Sequence, residues 1–351
     1  MYNVYDEMYT FYDRHVRLSR DKQAELTEYR DANIERLKNG LRKLECNPPI
    51  RTYSQGSYAM STMVQHPNND YDLDTAVVFT ADDLPATALD ARQLVLAGIV
   101  QGGGNFKQPP EARPNAVTVW YAEGHHIDLA VYRSSQDGFG NEITEHAGVD
   151  WTRRKPTEIA DWFKDEVTVK SPSPDFGATV KEGQMRRIVQ LLKMFARSRP
   201  SWKLPGGLLI SALVAECYRS NAHFDDAALY DTMAAIRVRL QGNTEILNPV
   251  DPSQKLTYKD KYINQVVCFE EKLGQALDWL GPLSQSDCDE RKAYQAWSAV
   301  FRHDYWSALV DGVQLREAAK SLYVISSGEI RTEKPDVSAV PSPPHRFYGD
   351  A

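Results

Sequence analysis

Cysteine is scarce and scattered. Cys46, Cys217, Cys268 and Cys288 are the four in 351 residues, with no CxxC pair and no histidine at zinc-finger spacing. That speaks against a disulfide framework or a thiolate zinc site, and reduced, mostly buried thiols are expected. Long apolar runs are missing too. None approaches the roughly 20 residues that cross a bilayer, and the opening MYNVYDEMYTFYDRH is polar and aromatic, unlike a secretion signal. The expectation is a cytoplasmic protein that does not contact membranes. Positive charge is in deficit, 41 Lys and Arg against 48 Asp and Glu, for a net charge of −7. This argues against a grip on long nucleic acid, whose affinity comes from neutralising phosphates. The densest basic cluster, Arg186, Arg187, Lys193, Arg197, Arg199 and Lys203, reads as the wet face of a helix. No internal repeat is visible.

What is present suits a globular chain of two lobes. Hydrophobic residues make up 42% and charged residues 25%, enough for two substantial cores. From about Ser19 to Leu44, Ile34, Leu37, Leu41 and Leu44 recur at helical steps, and Asn47-Pro48-Pro49 ends the run. The texture then turns to short strand-like runs, RTYSQGSY, LDTAVVF, AVTVWY and HIDLAVYR, with a helix at Ala86 to Val100 between the second and third. Gly102-Gly103-Gly104-Asn105 reads as the exit turn of that helix. A phosphate cradle is less favoured, because no Gly-Lys-Ser/Thr follows and a strand comes next.

Ser171-Pro172-Ser173-Pro174 reads as a hinge. Beyond it the chain is helical, with Gln184 to Ala196 amphipathic, Leu208 to Tyr218 apolar nearly all round, and further helices near 225–240, 258–280, 289–302 and 306–323. The expected class is α+β, divided into an N-terminal helical region spanning both lobes (1–46), a sheet-bearing core (47–170), a helical lobe (171–330) and a flexible, proline-rich tail (331–351).

The chemistry concentrates in three places. Asp72 and Asp74, in DYDLDTAVVF, are two residues apart on a strand, so their carboxylates leave the same face while Leu73 turns to the other. Two hard oxygen donors on a rigid strand suit Mg²⁺. Fifteen residues before Asp72 stands Ser57, preceded by Gly56; the glycine lets backbone approach a phosphate, and the serine offers an amide and a hydroxyl. Asp128, in HHIDLAVY, sits among alternating apolar residues, where a carboxylate needs a partner that a metal supplies. Together these describe two-metal phosphoryl transfer, with Asp72, Asp74 and Asp128 as the catalytic and metal-holding residues and Asp128 on the nucleophile side.

The order Gly-Ser, Asp-x-Asp and then a single Asp on a later strand resembles the cGAS/DncV-like nucleotidyltransferases, the CD-NTases of bacterial anti-phage (CBASS) systems. ADWFKDEV, QMRRIVQLLKMF, LLISALVAECY and LNPVDPSQKLT look like their helical lobe in the same order, so the resemblance spans about residues 5–325. It implies a polymerase-β-like nucleotidyltransferase sheet lobe packed on a helical lobe, with the active site in the cleft between. It also implies two Mg²⁺ ions (or Mn²⁺), ATP and GTP as substrates, pyrophosphate release, and a cyclic dinucleotide of the cyclic GMP-AMP kind that activates a downstream effector.

By the same carry-over, Gln55, Gly56 and Ser57 hold the donor triphosphate, and Lys193 and Lys203 bind the nucleotide from the helical lobe. Two departures stand out. No serine lies within Lys203-Leu204-Pro205-Gly206-Gly207-Leu208, and AVTVWY lacks a basic residue, leaving only Arg113 nearby. In some relatives the C-terminus is conjugated by an E1/E2-like partner, which here would act at Ala351. Two other outcomes stay open: a linear oligonucleotide or RNA-tailing enzyme, and a catalytically silent nucleotide-binding scaffold.

Overall fold

The computed structural model describes residues 2–65, 71–122, 124–320, 323–324 and 330–331; the flexible tail expected after Arg331 lies outside them. Helix α1 (Tyr5–Phe11) runs on as a π-helical turn to Val16, and α2 (Arg20–Lys43) follows, capped by the Ser19 side chain, which accepts from the Lys22 amide. Strand β1 (Arg51–Ser54) leads into a single helical turn, α3 (Gly56–Ala59), and then β2 (Asp72–Thr80). Helix α4 (Ala88–Gly102) precedes β3 (Gln108–Ala112), β4 (Val117–Trp120), β5 (His126–Gln136), β6 (Glu142–Ala147) and β7 (Trp151–Arg153). The remainder is helical: α5 (Glu158–Lys170), α6 (Gln184–Arg197), α7 (Gly207–Cys217), α8 (Asp225–Gly242), α9 (Asp260–Leu280), α10 (Glu290–Phe301) and α11 (Asp304–Lys320). Two-residue strands at Tyr323–Val324 and Ile330–Arg331 pair with each other.

The seven strands β1 to β7 form one sheet. Its path is β1-β2-β5-β4-β3, with β6 on the far half of β5 and β7 on β6. The β2–β5 pair is parallel and the other pairs are antiparallel. Alternation then sorts the side chains. Leu73, Val77, Phe79, Ile127, Leu129 and Val131 turn to one face and join Leu26, Leu37 and Leu41 of α2 and Val95 and Ile99 of α4 in a single core. Each such side chain contributes about 1.5–3 kcal/mol by leaving water. The opposite face carries Asp72, Asp74, Ala76 and Val78 on β2 and His126, Asp128, Ala130 and Tyr132 on β5.

A second, larger core binds α6 to α11 around Phe195, Phe269, Trp297 and Trp306. Met8 and Phe11 of α1 belong to this core, whereas α2 belongs to the sheet's. The two cores meet at residues 60–64, where Met60 and Val64 pack in the helical core and Met63 in the sheet core.

Three sequence expectations need correction. The basic residues of α6 are not all on a solvated face: Arg187 and Lys193 are buried against the rest of the chain, whereas Arg197 is exposed. Of the cysteines, all unpaired, only Cys217 is fully buried. The strand expected through RTYSQGSY stops at Ser54 because Gly56 takes a positive φ of +58°. Among the described residues, no helix is long and apolar enough to cross a membrane.

Candidate active site

Parallel pairing of β2 with β5 brings the three aspartates together. Asp74 lies in register with Asp128, and Asp72 with His126. Asp72 keeps half of its side chain exposed at the rim, and its Oδ1 is 3.2 Å from His126 Nε2. One ligand atom each from Asp72, His126 and Asp128 fall within 4.8 Å of one another.

Like charge and burial strain this cluster. Burial, then the charges of Asp72 and Asp128, push the Asp74 carboxyl up to about 7, against the opposing pull of His126. Burial also raises Asp128, with Asp72 adding to it, while Thr118 opposite it on β4, His126 and Arg113 pull the other way. Asp128 Oδ1 is buried without a hydrogen-bond partner. Crowded carboxylates with an orphaned oxygen are what a hard divalent cation satisfies, so the donor set fits such an ion.

The glycine turn is locked onto this cluster. The Gln55 amide donates to Asp74 O at 2.8 Å. A Cβ on Gly56 would stand 1.8 Å from Asp74 Oδ2, and its φ of +58° is itself unfavourable to other residues. Glycine is therefore required for the turn to approach the carboxylate. Ser57 follows in α3, which packs on β2, α5 and α7, placing the turn where the two lobes meet.

The remaining expected residues divide. Gln55 donates both of its side-chain hydrogens, to Tyr132 OH at 3.1 Å and to Pro156 O at 2.6 Å, so its amide group braces the sheet face. Lys193 is buried; its Nζ donates to Thr62 O at 2.6 Å, and burial, with Arg197 nearby, lowers it to about 7. One turn earlier Gln190 donates to Met63 O at 2.9 Å, so α6 grips the chain that leads from Ser57 towards Asp72. Lys203 is exposed in the loop before α7 and makes no hydrogen bond or ion pair among the described residues. His126 was not among the expected site residues. Its signal was present, a histidine two positions before Asp128 and hence on the same face of one strand.

Residues 50–132, from β1 through the first half of β5, match the family model described as Cyclic GMP-AMP synthase DncV-like, nucleotidyltransferase domain. That stretch of the chain is similar to a DncV-like nucleotidyltransferase domain. Gly56, Asp72, Asp74 and Asp128 all fall inside it.

The fold of the whole chain agrees. CdnC of E. coli MS115-1, solved with ATP, superposes with a TM-score of 0.60 at 16% identity, covering 86% of this chain and 98% of that one. CdnG of Bradyrhizobium diazoefficiens, solved with GTP, gives 0.62 at 13% identity over 88% and 99%. DncV cyclic AMP-GMP synthase of Vibrio cholerae gives 0.61 at 16% identity over 86% and 96%. Beyond residues 50–132, then, this chain shares their fold over nearly their full length.

Proposed function

We propose that this chain is a cyclic oligonucleotide synthase that joins ATP and GTP into a cyclic dinucleotide of the cyclic GMP-AMP kind, a second messenger for anti-phage defence. The observation that carries the reading is the Gly56 turn held against Asp74, beside the Asp72–Asp128 pair, at the junction of the lobes. Relatives of the same fold support the choice of substrate: CdnC was solved with ATP, CdnG with GTP, and DncV with the linear intermediate 5′-pppA(3′,5′)pG.

Asp72, Asp74 and Asp128 would hold two divalent ions, Mg²⁺ or Mn²⁺. When bound, such ions supply charge neutralisation for the triphosphate and acidify the ribose hydroxyl that attacks. The chain's own residues orient and enclose. Gly56 and Ser57 offer backbone amides, and Ser57 a hydroxyl, to the triphosphate oxygens. Asp128, raised by burial, would accept the hydroxyl proton. Lys193 and Gln190 keep residues 62–63 in place, just beyond the Ser57 turn. Exposed Lys203 is free to swing towards a nucleotide phosphate. A neighbouring effector would respond to the product, and CdnC's complex with a HORMA protein gives a precedent for a regulatory partner. Conjugation at Ala351 by an E1/E2-like partner is a further part of the proposal.

Incubating the purified protein with four nucleoside triphosphates and Mg²⁺ or Mn²⁺ tests this. Mass spectrometry should find a phosphatase-resistant cyclic dinucleotide, absent with the Asp72→Ala/Asp74→Ala variant. A phosphatase-sensitive ladder would replace the cyclase with a linear synthase, and inert triphosphates under every metal would leave only a scaffold.

A further inference from the structure

His125 and His126 are adjacent in sequence and opposite in fate. His125 is buried between the rings of Tyr29 and Tyr121, with centroids 4.1 and 4.7 Å away and planes 9° apart. His126 is the first residue of β5, two before Asp128, so the strand turns both side chains to the carboxylate face. Its pairing with Asp72 across the parallel register puts Nε2 3.2 Å from Asp72 Oδ1. Cis donors on an octahedral ion with bonds near 2.1 Å are about 3.0 Å apart, and trans donors about 4.2 Å. The donor atoms of Asp72, His126 and Asp128 all lie within 4.8 Å of one another, and the Asp72–His126 pair stands near the cis spacing. A hydrogen bond to Asp72 would explain the first distance alone. It does not explain why a carboxylate oxygen of Asp128 also lies within 4.8 Å of both.

We propose that His126 is a nitrogen ligand of the metal centre and that it biases the site towards Mn²⁺ over Mg²⁺; this rests on the nucleotidyltransferase reading above. Mg²⁺ takes oxygen donors and keeps its waters, so an imidazole adds little to its affinity. First-row transition ions gain from nitrogen donors in the order of their intrinsic affinities, and Mn²⁺ is the hard end of that series. A carboxylate site with one imidazole therefore separates the two ions where an all-aspartate site would not.

Pulsed electron paramagnetic resonance of the full-length protein with Mn²⁺ alone should show ¹⁴N modulation from a bound imidazole. His126→Ala should remove it and weaken Mn²⁺ binding by about tenfold or more, while Mg²⁺ binding changes less than about twofold. His126→Asn keeps a hydrogen-bonding group beside Asp72 but no imidazole, and should behave like the alanine variant. A wild-type Mn²⁺ spectrum without ¹⁴N coupling, or an asparagine variant with the wild-type Mn²⁺ preference, would overturn the assignment. The wild-type spectrum needs no variant to fold. Turnover of nucleotides is scored separately. Transfer with a ¹⁴N-silent Mn²⁺ refutes the ligand alone, whereas ¹⁴N-coupled Mn²⁺ without transfer upholds the ligand and refutes the enzymatic reading.

Discussion

In the helical lobe, the buried Arg187–Asp225 pair matches its charges. Arg187, 4% exposed, donates to both oxygens of Asp225 at 2.7 and 3.0 Å and to the carbonyls of Lys181 and Glu182. In the sheet lobe, three carboxylates crowd one face of β2 and β5, with His126 as their near neighbour, and burial, then the charges of Asp72 and Asp128, push Asp74 up to about 7. One lobe uses its polar groups to fix a packed core, and the other carries charge repulsion that a cation and a triphosphate would relieve. A fold that keeps such repulsion in a strand pair gives up stability for a binding site.

Breaking the matched pair should have the largest effect on stability. Arg187→Met strands Asp225 without its cation, and urea unfolding should show a loss of about 3–5 kcal/mol, while Mn²⁺ binding to whatever remains folded is unchanged. A metal site that fails in parallel would mean that the lobes are not energetically distinct in this way. Gly56→Ala attacks the other side of the comparison. The added Cβ meets Asp74 Oδ2 and the residue must hold a positive φ, so a stability loss of about 1–3 kcal/mol should accompany a fall of about 10²-fold in nucleotide turnover. Turnover within twofold of wild type would show that the turn is not part of the site.

A titration gives the smallest of the three. Burial holds the His146 imidazole down at about 4, and its Nε2 lies 2.9 Å from Asn115 O. Its folded value is below the unfolded one, near 6.5. The folded state therefore binds fewer protons, and the contribution is complete above about pH 6.5 and is lost as pH falls towards 4. From pH 7.5 to 5 this amounts to about 2 kcal/mol. Asp74 acts with the opposite sign, since protonation relieves its repulsion, so the comparison must be between wild type and His146→Leu. The variant should lack that share of the acid sensitivity, and identical pH slopes would remove His146 as its source.

Much of this architecture is legible from periodicity. Asp72 and Asp74 share a face because side chains alternate along a strand, and Asp128 stands out against Ile127 and Leu129 for the same reason. Helix α2, with Ser19 as its cap, and α4 follow from helical spacing and capping residues. Other features depend on partners distant in sequence. Strand β3 contains Pro109 and Pro110, which local propensity counts against a strand, yet it lies at the sheet edge where missing donors are tolerated. The burial of Lys193 follows from Thr62, 131 residues away in sequence, taking its ammonium hydrogen bond. His126 gains meaning from its register with Asp72, and that register is a tertiary fact.

The most direct test of the central claim is pyrophosphate release from ATP and GTP by wild type and by Asp74→Asn, measured beside the melting temperature of each. Asparagine removes the charge that raises the repulsion and keeps the shape beneath Gly56. The account predicts a variant that melts no lower than wild type and releases pyrophosphate at least about 10³-fold more slowly. Undiminished release from a well-folded Asp74→Asn protein would contradict it.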